Sequence, residues 1–65
     1  MRRGGDSYYV LVNKDGDVYE QEDYLGFTYT VDLDTWEDAE EVLQQLIVDE
    51  ELNPNDGWHV ERHRW

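Results

Sequence analysis

Cysteine is absent, so neither a disulfide nor a thiolate metal site can brace this chain. A reducing, intracellular setting fits that absence. No run of about 18 apolar residues occurs, which excludes a membrane-spanning helix. Met1-Arg2-Arg3 leads into Gly4-Gly5-Asp6 and not into an apolar segment, so no secretory signal is expected. The initial Met and the lack of a recognisable tag predict a complete, very short gene product. Proline occurs once, as Pro54, and lysine once, as Lys14. The scarcity that matters most is local. Between residues 15 and 61 there is no Lys or Arg at all, against 16 Asp or Glu.

The five bases lie outside that run, at Arg2, Arg3, Lys14, Arg62 and Arg64, and the formal net charge is −12. Such a chain repels nucleic acid and anionic membranes and attracts basic surfaces. Low hydropathy with high charge is also a signature of disorder. Three Trp, five Tyr and one Phe in 65 residues, set in alternating patterns, predict a packed core instead. A chain of this length forms a single domain, residues 1–65, and buries only about 60% of its unfolded surface.

Residues 34–52, DTWEDAEEVLQQLIVDEEL, form the one segment long and periodic enough for a helix. At 100° per residue Trp36, Ala39, Val42, Leu43, Leu46 and Ile47 share a side, wide enough to seat on a sheet. Glu37, Asp38, Glu41, Gln44 and Gln45 take the other side, with Glu40 at the rim. Asp34 is placed to cap the N-terminus, and Glu37 three residues on completes a box-like pair. Asp49, Glu50 and Glu51 fall at the other end, where the helix dipole is negative and each acid costs roughly 0.3–1 kcal/mol. A helix selected for stability alone would end in Lys or Arg.

Ahead of the helix, residues 1–6 read as a flexible basic arm. SYYVLVN, residues 7–13, reads as a central strand with Tyr8, Val10 and Val12 on one face and Tyr9 and Leu11 on the other. Lys14-Asp15-Gly16-Asp17 is a hairpin turn, and residues 18–21 return as a second strand, closed by the acidic residues 20–23. Tyr24-Leu25-Gly26 links to a third strand, in which Phe27, Tyr29, Val31 and Leu33 alternate with polar residues as a core face. After the helix, residues 53–57 are a loop around Pro54. Residues 58–65 form a last strand with Trp58 and Val60 inward. Tyr19, Tyr24 and Trp65 are the aromatics expected on the surface. The order is β-β-β-α-β. It predicts an α+β fold, a small antiparallel sheet of three to four strands with one amphipathic helix packed on one face.

Residue chemistry argues against catalysis and against metal or cofactor binding. Ser7 is the only serine and begins a strand. A pocket of about 300 Å³ or more is hard to build in so small a domain. Asn13-Lys14-Asp15-Gly16-Asp17 resembles the start of a calcium loop, but the sixth position is Val18 and the twelfth Tyr24, so the hairpin reading prevails. His59 and His63 would chelate zinc on a helix. On a strand they stand roughly 13 Å apart at about 3.3 Å per residue. No enzyme, cofactor or metal is expected.

What remains is the acidic array. Residues two apart on a strand stand about 6.6 Å apart on one face, as for Glu20 and Glu22, Asp32 and Asp34, or Asp15 and Asp17. Glu37 and Glu41 are neighbours on the helix at about 5–6 Å. Duplex DNA carries one charge per about 3.4 Å of axis on each strand, so two phosphate steps match the strand spacing. In brevity, in the base-free run of residues 15–61 and in the segment WEDAEEVLQQLIVDEEL, the chain resembles the small acidic phage anti-CRISPR proteins that act as DNA mimics. No motif aligns residue by residue. The resemblance implies an inhibitory binding protein that blocks target-DNA binding by a CRISPR effector complex, type I by preference, from the host-cell cytoplasm. The expected partner is a basic DNA-binding surface of a protein, and the expected state a monomer or weak dimer. The contact residues expected are Glu20, Glu22, Asp32, Asp34, Glu37, Glu40, Glu41, Asp49, Glu50 and Glu51. Two other readings stand beside it: an inhibitor of a basic nuclease, glycosylase or toxin, and a halophile-adapted protein without DNA mimicry.

Overall fold

The structure is a computed structural model that describes residues 7–64. The flexible arm expected at residues 1–6 and the surface position expected for Trp65 lie outside the described residues. Four strands and one helix follow in the order β1 (Ser7–Val12), β2 (Glu20–Glu22), β3 (Thr28–Thr30), α1 (Trp36–Val48) and β4 (His59–Arg64). A 3-10 turn, Pro54–Asp56, precedes β4. This is a small α+β fold with antiparallel pairing, in the expected element order.

β1 is the centre because both of its faces and both of its edges are used. On one edge it pairs antiparallel with β4, with Leu11 opposite Val60 and Val10 opposite Glu61. On the other edge Tyr9 bridges to Leu33 and Val12 to Val18. Tyr9 and Leu33 exchange both backbone hydrogen bonds, and Tyr19 N–H donates to the Leu11 carbonyl. The chain therefore leaves this edge near Tyr19 and rejoins it near Leu33. Between those points β2 and β3 pair with each other, Gln21 opposite Tyr29.

The helix lies against β1 and β4. Its buried side chains, Ala39, Leu43 and Leu46, meet Leu11, Val60 and Leu52 in one cluster, with Tyr9, Tyr19, Leu33, Val42, Ile47 and Trp58 packed around it. Leu11 is fully buried. Tyr9 meets Trp36 and Tyr19 meets Trp58 edge to face, each at 6.1 Å between centroids. Such pairs contribute about 0.5–1.5 kcal/mol beyond area burial. Val48 belongs to the outward side with Glu37, Glu41 and Gln44 and is exposed. Among the described residues no helix is long and apolar enough to cross a membrane.

Four expectations are corrected. Thr35, not Asp34, caps the helix: its Oγ1 accepts from the Asp38 N–H at 3.1 Å while its backbone is extended. The helix then begins one residue later and box pairing through Glu37 does not arise, because the third helical residue is Asp38. Asp49, Glu50 and Glu51 lie just past the last helical residue, Val48, with Asp49 as the C-cap. Phe27 and Tyr29 are exposed, at 68% and 48%, and not core. Their alternation is real, since Tyr29 pairs with Gln21, but α1 packs chiefly on β1 and β4, not on β3. Tyr19 is half-buried against the core and not on the surface, whereas Tyr24 is exposed as expected.

Candidate protein-binding surface

Two turns of one design shape the exposed side of the molecule. In the first, the Asn13 side-chain oxygen accepts from the Asp15 and Asp17 N–H groups, both at 2.9 Å. Asn13 N–H donates to the Asp17 carbonyl, and Gly16 N–H donates to the Asn13 carbonyl. In the second, Asp23 takes the place of Asn13: its Oδ1 accepts from Leu25 and Phe27 N–H at 2.9 and 3.0 Å. Asp23 N–H then donates to Phe27 and Gly26 N–H to Asp23. Gly16 and Gly26 hold φ of 87° and 88°, the left-handed position that closes a three-residue hairpin loop. Residues 24–26, expected as a linker between strands, are thus a hairpin turn.

The expected contact residues fall into three groups. Glu20 and Glu22 lie on one face of β2, both exposed. Asp32, half-buried, and Asp34, exposed, lie where the chain enters α1. On α1 itself Glu37 and Glu41 are exposed and Glu40 is half-buried. Asp49, Glu50 and Glu51 gather at its far end, all exposed. With 13 helical residues at about 1.5 Å each, the two ends of α1 stand roughly 20 Å apart. The acids thus form a line along α1 with a cluster at each end, not one compact patch. Among the described residues no Lys or Arg forms an ion pair with Glu20, Glu22, Glu37, Glu40, Glu41, Asp49, Glu50 or Glu51.

The far end of α1 is held in a form that stability alone does not select. Glu50 has φ of 63°, a left-handed backbone that favours Gly and costs other residues roughly 1–2 kcal/mol. Glu51 and Leu52 N–H groups both donate to the Leu46 carbonyl, closing the helix. Gln45 Nε2 donates to Asp49 Oδ1 at 3.0 Å. Between this end and the 3-10 turn opens a cleft of about 430 Å³, lined by Ile47, Glu50, Glu51, Leu52, Asn53, Pro54 and Asp56. Its volume exceeds what so short a chain was expected to build. Three carboxylates on an apolar floor suit the ammonium or guanidinium head of a partner side chain, with its aliphatic stem against Leu52 and Ile47. Asp56 was missed in the sequence because it sits in a loop, apart from the helix acids.

On the sheet face away from α1, Glu61 lies between His59 and His63, with Nε2–O distances of 3.2 and 3.1 Å. The imidazoles lean inward to one carboxylate and so approach more closely than strand spacing alone predicts. His59 Nδ1 lies 2.9 Å from the Gly57 carbonyl. That carbonyl only accepts, so Nδ1 is the protonated nitrogen in this contact, and protonation of Nε2 as well lets the ring donate to Glu61. The Gly57 carbonyl first, then Glu61, raise the His59 pKa above 6.5. Hydrogen bonds from His63 first, then His59, lower that of Glu61 below 4.5. Among the described residues no group of three His, Cys, Asp or Glu side chains is arranged to hold a metal ion.

Compared with known proteins, the chain matches no family model, no curated sequence and no solved structure. The functional reading therefore rests on the surface itself.

Proposed function

We propose that this chain is an acidic inhibitory binding protein that occupies a basic DNA-binding surface of another protein. The partner class we favour is a CRISPR effector complex, type I by preference, whose target-DNA channel is lined with Lys and Arg. One observation carries the reading: within the base-free run of residues 15–61, Glu20 and Glu22 on β2 and Glu37 and Glu41 on α1 lie exposed without Lys or Arg partners among the described residues. Acid is also kept at Glu50, where the backbone favours Gly, and at Asp49 beside it, where the helix dipole opposes it. Exposed carboxylates at about 6 Å intervals stand in for backbone phosphates in pairing with the partner's Lys and Arg.

The test is competition between this protein and labelled target duplex for a purified effector complex, at two salt concentrations. Wild type should displace the duplex, and less so at the higher salt. Glu37→Lys with Glu41→Lys should keep the helical circular dichroism and lose most of the displacement. Equal inhibition by that variant would refute the role given to α1. If wild type displaces no duplex at either salt, the partner is not this complex, and the same assay on a basic nuclease or glycosylase becomes the next test.

A further inference from the structure

The turn at Asp23 spends its order on presenting apolar groups to water. Tyr24, Leu25 and Phe27 are 94%, 64% and 68% exposed. β2 and β3 touch chiefly each other. An isolated two-stranded hairpin is marginal in water, and this one is held by a set of polar bonds. Asp23 organises the loop. Gln21 bridges two tyrosines, donating to Tyr19 Oη at 3.0 Å and accepting from Tyr29 O–H at 3.2 Å. None of these bonds uses the side chains of Tyr24, Leu25 or Phe27. They are not the reason the hairpin exists. The hairpin is a pre-shaped mount for them, which lowers the ordering cost of a contact.

The charges beside them decide what the contact is. Glu20, Glu22 and Asp23 lie on the same hairpin, and residues 20–30 hold no Lys or Arg. Glu20 and Glu22 share one face with Thr28 and Thr30, while Gln21 and Tyr29 share the other. The hairpin thus carries an acidic face and an aromatic face that meet at an apolar tip. A second copy of this chain would bring like charges together, and so would an anionic membrane or a nucleic acid. We infer that the tip is an anchor that inserts Tyr24, Leu25 and Phe27 into an apolar cleft rimmed by Lys and Arg on a protein partner. This rests on the binding role proposed above and adds to it: charge along α1 brings the partner in, and the hairpin holds it. Exposed aromatics of this kind supply the few dominant contacts of an interface, while rim charges act mainly on encounter rate.

The test uses full-length protein and three short peptides: alternating lysine and leucine, alternating lysine and serine, and alternating glutamate and leucine. Binding is followed by amide NMR shifts. The Lys/Leu peptide should move the signals of residues 20–30 most and bind about tenfold or more tighter than the Lys/Ser peptide, the worth of one buried apolar side chain. The Glu/Leu peptide should not bind. Phe27→Ser alone should weaken the Lys/Leu peptide several-fold, and Tyr24→Ser with Leu25→Ser and Phe27→Ser should reduce it to the Lys/Ser level. The dispersed signals of Leu11 and Val60 report that each variant stays folded. Equal binding of the Lys/Leu and Lys/Ser peptides, shifts confined to α1, or no binding at all would overturn the anchor. Self-association that the triple variant abolishes would overturn it in favour of a second copy. The duplex competition is a separate experiment, so failure of the effector reading and failure of the anchor are told apart.

Discussion

At the residue scale the clearest consequence is a pH window set on β4. His59 has its pKa raised, so its contribution to stability is complete below the ordinary value of 6.5 and is lost as pH rises through the raised value. Glu61 has its pKa lowered, so its contribution is complete above 4.5 and is lost as pH falls through the lowered value. Both are in place between 4.5 and 6.5. The groups are largely solvated, so the effect on stability is small, and NMR titration of the His59 ring is the sensitive readout. Glu61→Gln should bring the His59 pKa down only part of the way to 6.5, because the Gly57 carbonyl is the larger cause and remains. An unchanged His59 titration would show that the carboxylate contributes nothing. A second residue-scale prediction concerns Thr35. Replacing it with Ala should lower stability by about 1 kcal/mol through loss of the N-cap bond, against about 2–5 kcal/mol for Leu11→Ala at the centre of the core. Urea unfolding of the two variants measures both.

At the element scale, the proposed role sets stability against binding at the C-terminal end of α1. Glu50→Gly should relieve the left-handed backbone and raise stability by about 1 kcal/mol. The same change should weaken displacement of duplex from the effector complex, because it removes a carboxylate from the acidic end. A gain in stability with inhibition unchanged would mean that Glu50 is not a contact. This scale also shows what was legible in the sequence. The stripe from Trp36 to Ile47 located α1 and its buried side because a 3.6-residue period admits one packing. The two-faced apolar content of residues 7–13 located the central strand. Period-2 alternation in residues 27–33 located a face but not its cover, and a single helix leaves the outer half of that face in water. The second hairpin turn stayed hidden because Tyr24 and Leu25 are poor turn formers. Its marker, an Asx residue three positions before a Gly, occurs at Asn13 and again at Asp23. Of the candidate surface, the exposure of most of the helix and β2 acids was readable from the wheel and the alternation. The cleft at Asp56 and the apolar tip depend on how loops fold back, and no periodicity encodes that.

At the scale of the whole molecule, charge acts on folding and on binding with opposite sign. The chain extends 33 × 28 × 21 Å and carries a formal charge of −12. At 0.01 M salt the Debye length is about 30 Å, so acids at opposite ends repel one another; at 0.1 M it is about 10 Å and only neighbours do. Stability should therefore rise across this range. For a domain of this size each 1 kcal/mol appears as about 4–8 °C in Tm. Displacement of duplex should fall over the same range, because the attraction to a basic channel is screened by the same ions. A protein whose acidity is an adaptation to brine would behave differently. It would be unfolded at 0.01 M, fold only as salt rises toward molar levels, and show no competition with DNA at any concentration. Circular dichroism and the competition assay run on one salt series separate the two: a folded, inhibitory protein in dilute buffer that grows more stable and less inhibitory with salt is an electrostatic mimic, and the converse pair of curves removes that reading.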